Sequence, residues 1–200
     1  MKLNLILFFL SFVLFTSAVH AHTFTGMVGF YDGLYHPVLG IDHFLAMVSV
    51  GIVSAQIGGR AIWTIPATFV LMMIIGGTIG MLIEVFFFNL EEPAFIVVEY
   101  GIVFSVILLG LAIAIEKKIA TNIIILFICI FGMCHGLAHG MEMPWAVNPI
   151  LFALGFASGT ATLHLFGVGI GSIAIKTKFS SIVLRIVGVG CALFGFSLLI

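Results

Sequence analysis

The stretch Cys134-His135-Gly136-Leu137-Ala138-His139-Gly140-Met141-Glu142 sets two imidazoles four residues apart, with a carboxylate three residues further on. On a helix all three fall on one face, a spacing that suits metal ligation. Zinc proteases also use His at i and i+4, but they need Glu directly after the first His, where this chain has Gly136. A second string, His36-Pro37-Val38-Leu39-Gly40-Ile41-Asp42-His43, adds two imidazoles and a carboxylate. If a helix opens at Pro37, His36 and His43 share a side of it. Glu99, within Val97-Val98-Glu99-Tyr100-Gly101, and His164, within Thr160-Ala161-Thr162-Leu163-His164, complete the set. The structural alternatives are ordinary ones: Asp42 could satisfy the free N–H groups of a first turn, and the histidine pair could be packed and hydrogen-bonded. The metal reading is preferred because an ionisable group at membrane depth costs about 2.5–3.5 kcal/mol even on the lenient scale.

Membrane depth is what the rest of the chain implies. Of 200 residues 62% are hydrophobic and 8% charged, with a mean hydropathy of +1.36, too little polar surface to cover a water-soluble domain. Apolar runs recur at Pro37–Ile57, Ala61–Phe88, Ala94–Ile115, Ile119–Met141, Pro149–Ile175 and Phe179–Ile200. Each can span the hydrocarbon layer, which needs about 20 residues of helix. The expected fold is therefore all-α, a polytopic six-helix transmembrane bundle. Residues 1–21 read as a cleaved signal peptide, with Lys2, an apolar run and Val19 and Ala21 before the cleavage point. Residues 22–200 then form one transmembrane permease domain with His22 at its start. Export of that end places Arg60, Lys117, Lys118, Lys176, Lys178 and Arg185 at cytoplasmic boundaries and Asp32, Glu91, Glu92 and Glu142 at the outer face, as the positive-inside rule requires. The expected location is the bacterial inner membrane, multi-pass, with the mature N-terminus in the periplasm.

Glycines four apart (Gly132, Gly136 and Gly140; Gly76 and Gly80; Gly155 and Gly159) read as close-packing positions. Cys129, Cys134 and Cys191 read as small packing residues rather than a disulfide framework, and the methionines Met47, Met141 and Met143 as gap-fillers.

Every Lys and Arg after the signal lies at the other face, so Asp42 and Glu99 lack a basic partner and must be protonated, hydrated or bound to a cation. Imidazoles with carboxylates suit Ni2+, Co2+ and Zn2+; Ca2+ and Mg2+ prefer oxygen alone, and Cu(I) prefers sulfur. Counting 1.5 Å per residue, His139 and Glu142 lie near the outer boundary, Asp42, His43, Glu99 and His135 roughly 7–10 Å in, and His164 about 20 Å in. Glu84 could extend this ladder or stand as a solvated interfacial acid.

At these residues the chain resembles the HupE/UreJ family of hydrogenase- and urease-accessory membrane proteins. His36-Pro37-x-x-Gly40-x-Asp42-His43-x-x-Ala46-Met47 resembles the family signature, and Gly58-Gly59-Arg60, Glu99 in Val-Glu-Tyr-Gly, His135 through Glu142, and Gly155-Phe156 through His164 resemble its later motifs. The resemblance implies a nickel or cobalt permease of six helices that supplies metal for nickel enzymes, not an enzyme. The expected metal ligands are His36, Asp42, His43, Glu99, His135, His139, Glu142 and His164. No permanently bound cofactor is expected, Ni2+ or Co2+ being cargo. Expected partners are the ion and the lipid bilayer, with no nucleic acid, and the reading is compatible with a homo-oligomer. No Gly-x-x-x-x-Gly-Lys-Ser/Thr loop is present for nucleotide hydrolysis. Rival readings are a metal-binding accessory or sensor protein without transport, a haem-binding electron carrier with facing axial histidines, and an intramembrane protease using Ser158 and His164, disfavoured because residues six apart point in different directions.

Overall fold

The computed structural model describes residues 29–86, 92–116, 119–143 and 147–200. The signal peptide expected over 1–21, together with His22, Glu91, Lys117 and Lys118, lies outside these residues, as does the side chain of Glu92. Among the described residues seven helices follow in order: α1 (Gly29–Leu39), α2 (Ile41–Ile57), α3 (Ala61–Phe86), α4 (Glu92–Ile115), α5 (Thr121–Met141), α6 (Pro149–Ala174) and α7 (Lys178–Ser197). No strand occurs among those residues. Five of these helices are long and apolar enough to cross a bilayer, and α1 with α2 makes up to six if the bent pair is one span.

That bent pair corrects the sequence reading. The segment before Pro37, which precedes the first apolar run, is helical from Gly29, and Pro37 sits inside α1 rather than at a first helical position. The chain then turns by 82° at Gly40, whose extended backbone (φ −86°, ψ 120°) caps α2. Pro37 removes one helical N–H bond, and Gly40 stiffens nothing, so the turn falls between them. His36 and His43 therefore lie on two helices, not on one face of one helix.

Local chemistry sets the other boundaries. Gly58 (φ 78°) and Gly59 (φ 57°) take the left-handed conformations that turn α2 into α3. Asn148 Oδ1 accepts from the N–H groups of Ile150 and Leu151 at 3.0 and 3.1 Å, with Pro149 as the first residue of α6. The Thr177 hydroxyl accepts from Ser180 N–H at 3.1 Å to start α7.

The exterior is apolar. Trp63, Leu71, Val97, Leu126, Ile150, Ile173 and Leu193 are all exposed, while His135, His139, His164, Ser49, Ser54 and Thr160 are buried. Such an inverted distribution fits lipid rather than water around the bundle. Helices carrying the candidate ligands touch backbone to backbone. A Cβ on Gly136 or Gly140 would collide with the Met73 or Gly77 carbonyl of α3, one on Gly155 with the Phe30 carbonyl of α1, and one on Gly51 with the His164 carbonyl of α6. The packing role read for the four-residue glycine spacing is what these contacts show.

Candidate metal pathway

Four of the histidines converge at the end of the bundle where α1 meets α2 and where α5 ends. His36 Nε2 and His139 Nδ1 are 2.9 Å apart, so one ring donates to the other. Glu142, at the C-terminal cap of α5, brings Oε2 to 3.6 Å from the same His139 Nδ1. One ligand atom from each of His36, His139 and Glu142 falls within 4.8 Å of the others, close enough to share an ion. His43 continues the cluster, its ring centroid 4.5 Å from that of His139, 6.4 Å from that of His36 and 5.2 Å from that of His135.

Two of these imidazoles have a fixed tautomer. His43 Nδ1–H donates to Asp42 Oδ1 at 2.8 Å, and the same oxygen accepts the His43 backbone N–H at 2.9 Å. His135 Nδ1–H donates to the Phe131 carbonyl at 2.9 Å, one turn back on α5. In both rings the lone pair is left on Nε2, the atom a metal would use, and the partner on Nδ1 orients the ring as outer-shell groups do at metal sites. Nε2 of His43, His135 and His139 is enclosed with no hydrogen-bond partner among the described residues. Buried polar atoms are normally satisfied, so three open nitrogens within one cluster are donors that a metal ion could use. Gly40 is required beside it, because a Cβ there would come within 2.9 Å of His43 Nδ1 and 3.1 Å of Asp42 Oδ1.

The remaining expected residues are placed differently. Asp42 orients His43 and also accepts the His43 N–H, one of the free N–H groups of the first turn of α2, as in the structural alternative considered for it. Glu99, half-buried on α4, lies within electrostatic range of Glu142, His43 and Asp42 but forms no ion pair among the described residues. His164 is fully buried on α6, with Phe69 rather than another histidine against its ring. Glu84 has no ion pair or hydrogen bond to the cluster among the described residues. Asp32, one turn before His36 on α1, has both carboxylate oxygens without a hydrogen-bond partner among the described residues.

Aromatic residues that sequence reasoning passed over form the walls. Phe152 and Phe156 stack with each other and meet the His36 ring at 5.9 and 5.7 Å, and Phe156 also meets His139 at 4.8 Å. Beside His139 a cavity of about 290 Å³ runs between α3, α5 and α6, lined largely by apolar groups including Met73, Met81 and Phe156.

Two rivals gain no support from the geometry. Facing haem ligands hold their rings on opposite sides of a macrocycle, whereas these four rings cluster at 4.4–6.4 Å with Phe152 and Phe156 packed against His36. Ser158 is exposed on the outside of α6 and donates to the Leu154 carbonyl at 2.7 Å, away from buried His164.

Similarity to known proteins extends over nearly the whole chain. A family model described as HupE / UreJ protein matches residues 10–198. The chain is 37% identical over 184 residues to a protein described as Protein HupE from Rhizobium leguminosarum bv. viciae, covering 92% of this chain and 91% of that one. No solved structure matches.

Proposed function

The chain belongs to the HupE / UreJ family, and from that premise we propose that it is an inner-membrane permease carrying a divalent transition-metal ion, Ni2+ first and Co2+ second, from periplasm to cytoplasm for metalloenzyme maturation. The observation that carries this reading is the set of enclosed, unpartnered Nε2 atoms on His43, His135 and His139, beside the His36–His139–Glu142 cluster. Desolvated imidazoles held open in a bundle are stabilised by an ion, and borderline divalent metals match nitrogen with a carboxylate.

In this reading Asp32, Glu142 and Glu99 concentrate cations at the mouth. His36, His139 and Glu142 accept the ion and strip part of its hydration, and His43 and His135 take it over through Nε2. Asp42 holds His43 in the right tautomer. His164 receives the ion deeper in the bundle. The arginines and lysines at the opposite end of the helices, Arg60, Lys176, Lys178 and Arg185, support an orientation with the histidine cluster outward. The membrane potential would assist inward movement by about 2.3 kcal/mol per charge per 100 mV.

The test is metal flux. Purified protein in liposomes should admit Ni2+, with Co2+ competing, and His43→Ala or His135→Ala should abolish uptake while the protein still inserts. Tight binding without flux would instead establish an accessory or sensor role, and normal uptake in both variants would remove the histidines from the path.

A further inference from the structure

His164 stands apart from the four histidines of the cluster, and Phe69 of α3 is the ring in contact with both sides. Its centroid lies 5.2 Å from that of His135 and 5.2 Å from that of His164, and the phenyl ring is fully buried. Beyond it both nitrogens of His164 are enclosed with no partner among the described residues. We propose that Phe69 is the gate of the pathway: its ring seals the outer histidine cluster from His164, and its rotation admits the ion to the inner half of the bundle.

A phenyl ring offers a divalent ion no lone pair and excludes the water that would otherwise carry it. Apolar constrictions of this kind close pathways by dewetting. An ion leaving His135 Nε2 therefore meets a barrier that neither histidine can lower while the ring stays in place.

Two neighbours determine how the ring can move. Its backbone is held, because α5 approaches so closely at Gly132 that a Cβ there would come within 2.7 Å of the Phe69 carbonyl. One turn further along α3, Met73 is buried, receives the Thr160 hydroxyl at 3.6 Å from its sulfur, and lines the 290 Å³ cavity. Methionine is the most adaptable of the apolar side chains. Displacement of Met73 into that cavity frees space for the phenyl ring while the helix stays fixed, so gating is a side-chain event.

The proposal rests on the permeation reading, but the seal can be tested without flux. In a chain with Cys129, Cys134 and Cys191 changed to Ala, His164→Cys places one thiol behind the ring. A small cationic methanethiosulfonate added from the outer side should label it slowly while Phe69 is present. Phe69→Ala, and the milder Phe69→Leu should Ala fail to insert, should raise the labelling rate at least about tenfold, the change that removal of a barrier of one decade produces. Ni2+ affinity at the outer cluster should stay at the parent's value. Rapid labelling with Phe69 in place, or equal rates with and without it, would overturn the gate. Acceleration accompanied by loss of outer Ni2+ affinity would also overturn it, because it would report a loosened bundle. Absence of Ni2+ flux in the unmodified protein would count against the permease and leave the labelling result to decide the gate.

Discussion

Asp42→Asn removes a charge from the bundle while leaving an oxygen where the carboxylate stood, and so separates a ligand from a group that orients one. Asp42 Oδ1 accepts from His43 Nδ1–H at 2.8 Å and from the His43 backbone N–H at 2.9 Å. Loss of such an outer-shell partner typically weakens metal binding about 10–100-fold. Asparagine still accepts from Nδ1–H, but a neutral bond has roughly half the strength of a charge-assisted one. The expected loss is thus near the lower limit, about tenfold or 1.4 kcal/mol. Asp42→Ala leaves Nδ1 unpaired and the tautomer free, which places it near the upper limit of about 100-fold. His139→Ala, which removes the ring common to the His36 and Glu142 contacts, should exceed both. Equilibrium dialysis of Ni2+ against the purified, detergent-solubilised protein would give the order. If Asp42→Asn equals His139→Ala, the carboxylate is itself a ligand; if it changes nothing, His43 does not hold the ion.

The other expectations concern proton competition and packing. Proton competition should centre on His43, whose contact with the Asp42 carboxylate favours the imidazolium, so Ni2+ affinity should fall as pH is lowered from about 7.5 to about 5.5; a binding constant flat over this range, measured by calorimetry, would remove His43 from the ligand set. Gly136→Ala should destabilise the bundle by about 1–3 kcal/mol through overpacking against the Met73 carbonyl. Gly169→Ala, where nothing lies within 4 Å of an added Cβ, is the matched control, and thermal melts that fail to separate the two would contradict the α3–α5 contact. Gly40→Ala should weaken Ni2+ binding while the helices still form, since its Cβ would press on the Asp42–His43 pair; unchanged dialysis would mean that the pair can shift without effect.

The candidate ligands stand out in the sequence because ionisable residues inside long apolar runs have so few structural roles. Helical spacing alone groups His135 with His139 and Glu142, and the fold brings His36 and His43 of the other motif beside them. The break at Gly40 was not legible: Val38, Leu39 and Ile41 continue the apolar run through it, and hydropathy carries no record of direction. The helix before it was hidden by Tyr31, Asp32, Tyr35 and His36, which interrupt the apolar pattern. Phe69, Phe152 and Phe156 could not be singled out among 21 phenylalanines, since an aromatic lining a pathway and one facing lipid have the same composition. Asp42 was recognised as part of the site, but its role as an orienting group depends on a rotamer and a tautomer that spacing does not encode.

The glycine contacts clasp the helices into three blocks, one of them α4 with α7 through Gly110 and Gly188, and the other two carry the histidines. α3 and α5 are clasped through Gly76, Gly80, Gly132, Gly136 and Gly140, and α6 is clasped to α1 and α2 through Gly33, Gly155, Gly51 and Gly167. His135, His139, Glu142 and Phe69 belong to the first block, and His36, Asp42, His43 and His164 to the second. The candidate donors thus straddle a seam, with His135, His139 and Glu142 on one side and His36 and His43 on the other. An ion held between them would tie the two blocks together while each helix pair keeps its own donors in place.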